Sequence, residues 1–363
     1  MTRKPDALGR LSGGPHRTVV VAADPLGWLP PELEPVALRL ARVDECAFMI
    51  GDLSSKWALD VPLTLEHVRR GNEVDAVLRS IRPIPPLVSL LFSEAVGHLR
   101  AAIDNTLWYL VELRQGALKS SAAQRVTMPI KETAQDFDNW LTQSGKVGLR
   151  ALGHGSSLGE RVRSLQPFAS AADGVPAPSR ALALLMGLPV EAAHPLRLLQ
   201  TYSNHDKHRA IRVATARTSI RKPDEFFVRP ENWFKALQVG DVVERGAWGE
   251  PVGIKLLTGV VVERAKPFSA LVNPAKELCA LRRYVSERVI PVLVTGQELP
   301  HSPLPASAEL GDNGRSARER LCGGGGNGAE VRLSAVVAKR YAEATNREAH
   351  VPDVVDDPGE LPE

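Results

Sequence analysis

Between residues 32 and 59 the apolar side chains Val36, Leu40, Val43, Ala47 and Ile50 recur every three or four positions, which predicts an amphipathic helix. A β-hairpin is expected next. Its arms are residues 61 to 68 and 74 to 81, and its turn is Arg69-Arg70-Gly71-Asn72, where Gly and Asn tolerate positive φ. Pro83, Pro85 and Pro86 end the hairpin, and the longest helical pattern follows from residue 87 to 115, closed by Gly116. Shorter helices are predicted over residues 132 to 142, 158 to 165, 180 to 186 and 194 to 210, with an extended piece at Thr127-Met128-Pro129-Ile130. After Ile211 the period falls to two through Ile220, and strands are also expected at 239 to 245 and 252 to 263. The last long helix spans residues 274 to 293, with Leu278, Leu281, Tyr284, Val285, Val289 and Val292 on one face.

These elements predict an α+β protein: a mainly helical core over residues 32 to 295, a small antiparallel sheet and flexible segments at both ends. Residues 1 to 31 read as a Gly- and Pro-containing lead. Residues 296 to 330, with the glycine run 323 to 326, read as a linker too poor in apolar surface to offset its chain entropy. Residues 331 to 363 read as a short amphipathic helix to 346 and an acidic tail. In 363 residues, 44% are hydrophobic and 24% charged, which suits a soluble globular chain. No apolar run approaches the roughly 18 residues of a membrane span, and no apolar signal core follows the basic N-terminus. Three scattered cysteines, Cys46, Cys279 and Cys322, imply no disulfide framework, so a cytoplasmic protein without a membrane partner is expected.

A net charge of +3 conceals a polarised distribution. Residues 197 to 222 hold seven Lys or Arg against Asp206 alone, whereas residues 341 to 363 hold seven Asp or Glu against Arg347. The first segment is a candidate surface for an anionic partner such as RNA, with Arg212, Arg217 and Arg221 as anion-binding residues, and the tail could compete for it. Two solvated surfaces of opposite sign are the plainer alternative.

Polar chemistry is densest at Asn204-His205-Asp206-Lys207-His208-Arg209. On a helical wheel centred on Leu199, Asp206 falls about 20° away and is expected to face the core, with Asn204 and His208 near the opposite face. In the central helix Arg100 and Asp104 border the stripe of Leu99, Ile103, Leu107 and Leu110. A buried Asp206 needs a cation, because a stranded charge costs several kcal/mol. Arg100, Asp104, Asp206 and His98 are therefore expected to form a structural lock, with Arg100 paired to Asp206. The sharper alternative makes His208 a general base, with Asn204 placing a hydroxyl and Lys207 and Arg209 stabilising a pentacovalent phosphorus in metal-independent RNA cleavage.

The series Glu94-x-x-x-His98-Leu99-Arg100-x-x-Ile103-Asp104-Asn105, Met128-Pro129-Ile130, Gln166-Pro167-Phe168 and Asn204-x-Asp206-Lys207-His208-Arg209 resembles an uncharacterised family of bacterial proteins, frequent in actinobacteria. The resemblance spans residues 74 to 213 and implies no activity. Paired helices with a late histidine are also loosely similar to the HEPN domains of defence and toxin ribonucleases. Their hallmark, Arg and then His after four to six residues, occurs here only as Arg10 to His16, inside the lead.

Other chemistry lacks its signature. Gly145-Lys146-Val147 is no phosphate-binding loop, Gly153-His154-Gly155-Ser156-Ser157 is no nucleophile elbow, and His205 with His208 could supply at most two metal ligands. Neither metal nor cofactor is expected. A bacterial binding or interaction protein is the leading expectation, and a HEPN-like ribonuclease or phosphodiesterase the alternative.

Overall fold

The computed structural model describes residues 24–170, 174–180, 183–184, 187, 189–208, 213–221, 235–248, 255–299 and 304–348. The first 23 residues of the lead, and the acidic tail beyond residue 348, lie outside the described residues.

The protein is α+β, a mainly helical fold with small antiparallel sheets. Its centre is a pair of long helices, α1 (Glu34–Leu59) and α2 (Leu87–Gln115). They run antiparallel, since Arg42 meets Glu94 while Arg39 meets His98 one turn back. The predicted stripes close this seam: Val36, Leu40, Val43, Ala47 and Ile50 face Leu99, Ile103, Leu107 and Leu110, all buried. Gly116 ends α2 with φ +76°, a conformation that carries little cost only for glycine.

Between these helices lies the hairpin β1 (Leu63–Arg70) and β2 (Glu73–Ile81), turned at Gly71 with φ +65°. After α3 (Ser120–Ala123), α4 (Ala134–Lys146) starts at the cap Thr133 and α5 (Ser157–Ser164) at the cap Ser156, each hydroxyl accepting a first-turn N–H. Strands β3 (Val175–Ala177) and β4 (Glu191–Ala193) pair and lead into α6 (Pro195–His208), which packs on α2. A four-stranded sheet follows in the order β6-β5-β8-β9, built from β5 (Val213–Arg221), β6 (Lys235–Ala236), β8 (Lys255–Glu263) and β9 (Leu271–Val272). Strand β7 (Val242–Ala247) joins the hairpin beside β2.

The predicted helix at 274 to 293 is α7 (Pro274–Tyr284), a wide π turn (Val285–Val289) and α8 (Ile290–Thr295). The wide turn comes just before Pro291, which has no N–H for the helical ladder.

The expected linker at 296 to 330 is instead packed against the core in its described part. Leu304, Ala306 and Leu321 are buried, and Ser307 and Gly325 exchange backbone hydrogen bonds. Polar contacts do what apolar area could not. Arg282, itself buried, donates to Leu40 O at 3.2 Å and Pro305 O at 2.6 Å. The glycine run serves close approach, since a Cβ on Gly324 would lie 2.4 Å from Ser307 O. A capping box of Ser316 and Glu319 starts α9 (Ala317–Cys322), and α10 (Ala329–Glu348) then lies along α1. The packed structure thus continues beyond residue 295, with Ala329 buried and Arg340 paired to Asp52.

Helix α10 is clamped to α1 by charge and shape. Buried Asp44 accepts from Ala329 N at 2.7 Å and pairs with Arg332, while Arg340 pairs with Asp52 and donates to Ser55 Oγ at 2.8 Å. At Gly51 a Cβ would stand 2.4 Å from Leu333 Cδ1. In Gly51→Ala the displacement of Leu333 is expected to cancel the helix gain of alanine, and adding Leu333→Ala should reveal that gain of about 1 kcal/mol in urea unfolding. An additive pair would show that the two helices do not meet there.

Candidate functional site

Arg100 and Asp104 do not lock α2 to α6 but tie α2 to the backbone of residue 128. Arg100 Nε donates to Asp104 Oδ2 at 3.1 Å and its Nη2 to Met128 O at 2.6 Å, while Asp104 Oδ1 accepts from Met128 N at 2.8 Å. From the other side, buried Gln166 accepts from Lys131 N at 2.9 Å and donates to Pro129 O at 3.1 Å and Val162 O at 3.0 Å. Three of the sequence motifs thus converge on one extended segment, residues 128 to 131, whose backbone groups side chains satisfy. His98, expected in the lock, instead meets Arg39 of α1 at 3.2 Å and Glu94 at 3.6 Å; burial, then Arg39, lowers its pKa.

Asp206 is a correction. It is exposed and accepts from Ser93 on α2, so Arg100 and Asp206 form no pair. The wheel gave its direction correctly but not its depth. Tyr202, one turn earlier, meets Phe92 edge-on in the core with ring centroids 5.1 Å apart, whereas at residue 206 the helix has reached the rim. Asp206→Ala is thus expected to cost about 1 kcal/mol or less.

Asn204 is exposed on α6. Lys207 and His208 close that helix and Arg217 and Arg221 lie on β5, but their side chains fall outside what is described, as do Arg209 and Arg212 altogether. Among the described residues no group of three or more His, Cys, Asp or Glu could hold a metal ion, and no helix is long and apolar enough to cross a membrane.

A second polar network joins α6, α7 and the residue after β8. Arg264, 0% exposed, donates from Nε and Nη2 to both carboxylate oxygens of Glu277 at 2.9 and 2.8 Å, and from Nη1 to Val175 O at 3.2 Å. Tyr202 OH donates to Glu277 Oε1 at 3.0 Å. Burial, then the neighbouring Glu277, pushes this phenol well above its usual pKa, so it remains a donor. The signal was Glu277 beside Leu278 on the inner face of its helix and Tyr202 beside Leu199 on its own.

His194 is a buried histidine beside Ser170, a pair that invites a catalytic reading. Its Nδ1 accepts from Leu196 N at 3.3 Å, which assigns the proton to Nε2, 3.1 Å from Ser170 Oγ. The imidazole donates to Ser170, whose hydroxyl donates onward to Gln166 O at 3.2 Å. A nitrogen that already carries a proton cannot take one from the serine. The pair is a structural relay.

A half-open space with mixed chemistry lies under α10. A cavity of about 370 Å³ is walled by Ser54 and Ala58 of α1, Val260 of β8, Ala275 and Cys279 of α7 and Val337 of α10, and Lys276 and Glu330 also line it. Ser54 is 7% exposed and its hydroxyl has no hydrogen-bond partner among the described residues. Burial raises the Cys279 thiol to about 12, so it is not a thiolate at neutral pH. A neighbouring cavity of about 370 Å³, reaching Val175 and Ala280, shares Asn273, Lys276 and Glu330 with it. Four distant stretches of chain build the first cavity, so no local pattern announces it.

Compared with protein-family models, curated proteins and solved structures, the chain matches none.

Proposed function

We propose that the protein is a non-catalytic binding protein that encloses a small ligand between α1, β8 and its C-terminal helix α10. Ser54 carries this reading. A buried hydroxyl without a partner costs about 1–3 kcal/mol, and a polar ligand atom or ordered water is what such a group ordinarily meets. The space suits the role: it falls within the range of small-molecule sites, mostly apolar with a few polar groups. Its walls hold rather than react, since the thiol is protonated and no histidine is among the lining residues.

Native mass spectrometry of the purified chain tests the reading. A bound species lost on denaturation and absent from Val337→Trp, whose indole fills the cavity, is the expected result. A bare chain with an unchanged spectrum in the variant contradicts it. Mixed RNA incubated with protein and chelator is expected to stay intact; cleavage that disappears in His208→Ala would replace the binding reading by a nuclease.

A further inference from the structure

The charge of the cavity lining has a definite sign. Lys276 and Glu330 are its ionic residues, and Glu330 Oε2 lies 3.1 Å from Arg283 Nη2 in an exposed ion pair. Lys276 is exposed and makes no ion pair among the described residues.

Its position sharpens the point. Asn273 caps α7, its Oδ1 accepting from Lys276 N at 3.1 Å, so Lys276 stands in the first helical turn. There the helix dipole is positive and a cation is disfavoured; acidic side chains are the stabilising choice. An unpaired lysine at this place gains nothing for the helix. An anion held there would pair with the ammonium.

Beyond Lys276 the wall turns apolar, through Ala275, Cys279, Val260, Leu333 and Val337, with the unpartnered Ser54 among them. A ligand that fits this sequence of surfaces has a charged end for Lys276 and a largely apolar body that carries one polar atom within reach of Ser54.

We infer that the ligand is an amphipathic monocarboxylate, its carboxylate paired with the Lys276 ammonium at the start of α7 and its apolar chain lying beneath α10. This deepens the binding reading and rests on it. The carboxylate satisfies the one uncompensated charge of the lining, and the chain removes apolar wall from water. A cationic or neutral ligand of equal length would leave Lys276 repelled or unanswered.

Calorimetric titration of the full chain with decanoate, decanol and decylamine, each below its micellar concentration, tests this, because the three share one chain and differ in head group. Decanoate is expected to bind at least about tenfold more tightly than decylamine, with decanol between them. Lys276→Gln should abolish the preference and Lys276→Arg should keep it. Val337→Trp should weaken all three.

Equal affinities, or decylamine binding most tightly, would overturn the anionic class while leaving a ligand cavity in place. Loss of binding in Ala280→Trp but not in Val337→Trp would put the chain in the neighbouring cavity and overturn the placement. No binding of any probe, with a co-purifying ligand still present in the mass spectrum, rejects the carboxylate alone. Absence of both rejects the cavity as a ligand site.

Discussion

Replacing Arg264 by methionine is expected to lower the unfolding free energy by about 3–5 kcal/mol. The guanidinium is 0% exposed and grips both oxygens of Glu277, which is 3% exposed, so removing it strands a buried carboxylate whose remaining partner is the Tyr202 hydroxyl. Methionine fills the volume without replacing the charge. A double-mutant cycle isolates the pair. Glu277→Gln in the Arg264→Met background should recover about 1 kcal/mol or more, because a neutral amide tolerates the site better than an unpaired carboxylate. A cost under about 1 kcal/mol for Arg264→Met would show that water reaches the site and that the network does not hold α6, α7 and β3 together.

Acid is expected to unfold the protein first through His194. Burial, then Arg288 and Arg197 nearby, lowers its pKa to about 4, whereas an unfolded histidine titrates near 6.5. Between these values the unfolded chain binds the extra proton, so stability falls as pH drops from about 6.5 to about 4, a loss of about 3 kcal/mol in all. Above 6.5 the contribution is fully present; below 4 the histidine adds no further slope. His98, also lowered by burial, acts with the same sign, so the informative quantity is the slope that one substitution removes. His194→Asn keeps a side-chain acceptor for the Leu196 N–H without a titrating group. Urea unfolding across this pH range should show a flatter profile for it, and an unchanged profile would contradict the assignment.

What was legible in the sequence, and what was not, follows from the range of each interaction. The limits of α2 at Leu87 and Gln115 and the hairpin turn at Gly71 are local matters of periodicity, proline and glycine, and both stand where the sequence puts them. Asp206 shows the limit of a helical wheel, which reports direction but not how far along the helix its neighbour extends. Residues 304 to 329 show the limit of composition: arginines reaching carbonyl oxygens hold a segment that apolar area alone would leave loose. For Arg264 and Glu277 the sequence offered a charged residue on an inner helix face but not its partner, because the ion pair joins that face to the end of a distant strand. The cavity depends on residues from 51 to 341, and only the assembled fold brings them together.

Hydrogen exchange of the full chain, with and without decanoate, is the most direct measurement of the claim that α10 covers a ligand site. Slower exchange on ligand addition is expected in α10 and in residues 50 to 59 of α1, with α4 and α5 unchanged. Unchanged exchange in both α10 and α1, or protection confined to α6 and β5, would contradict it.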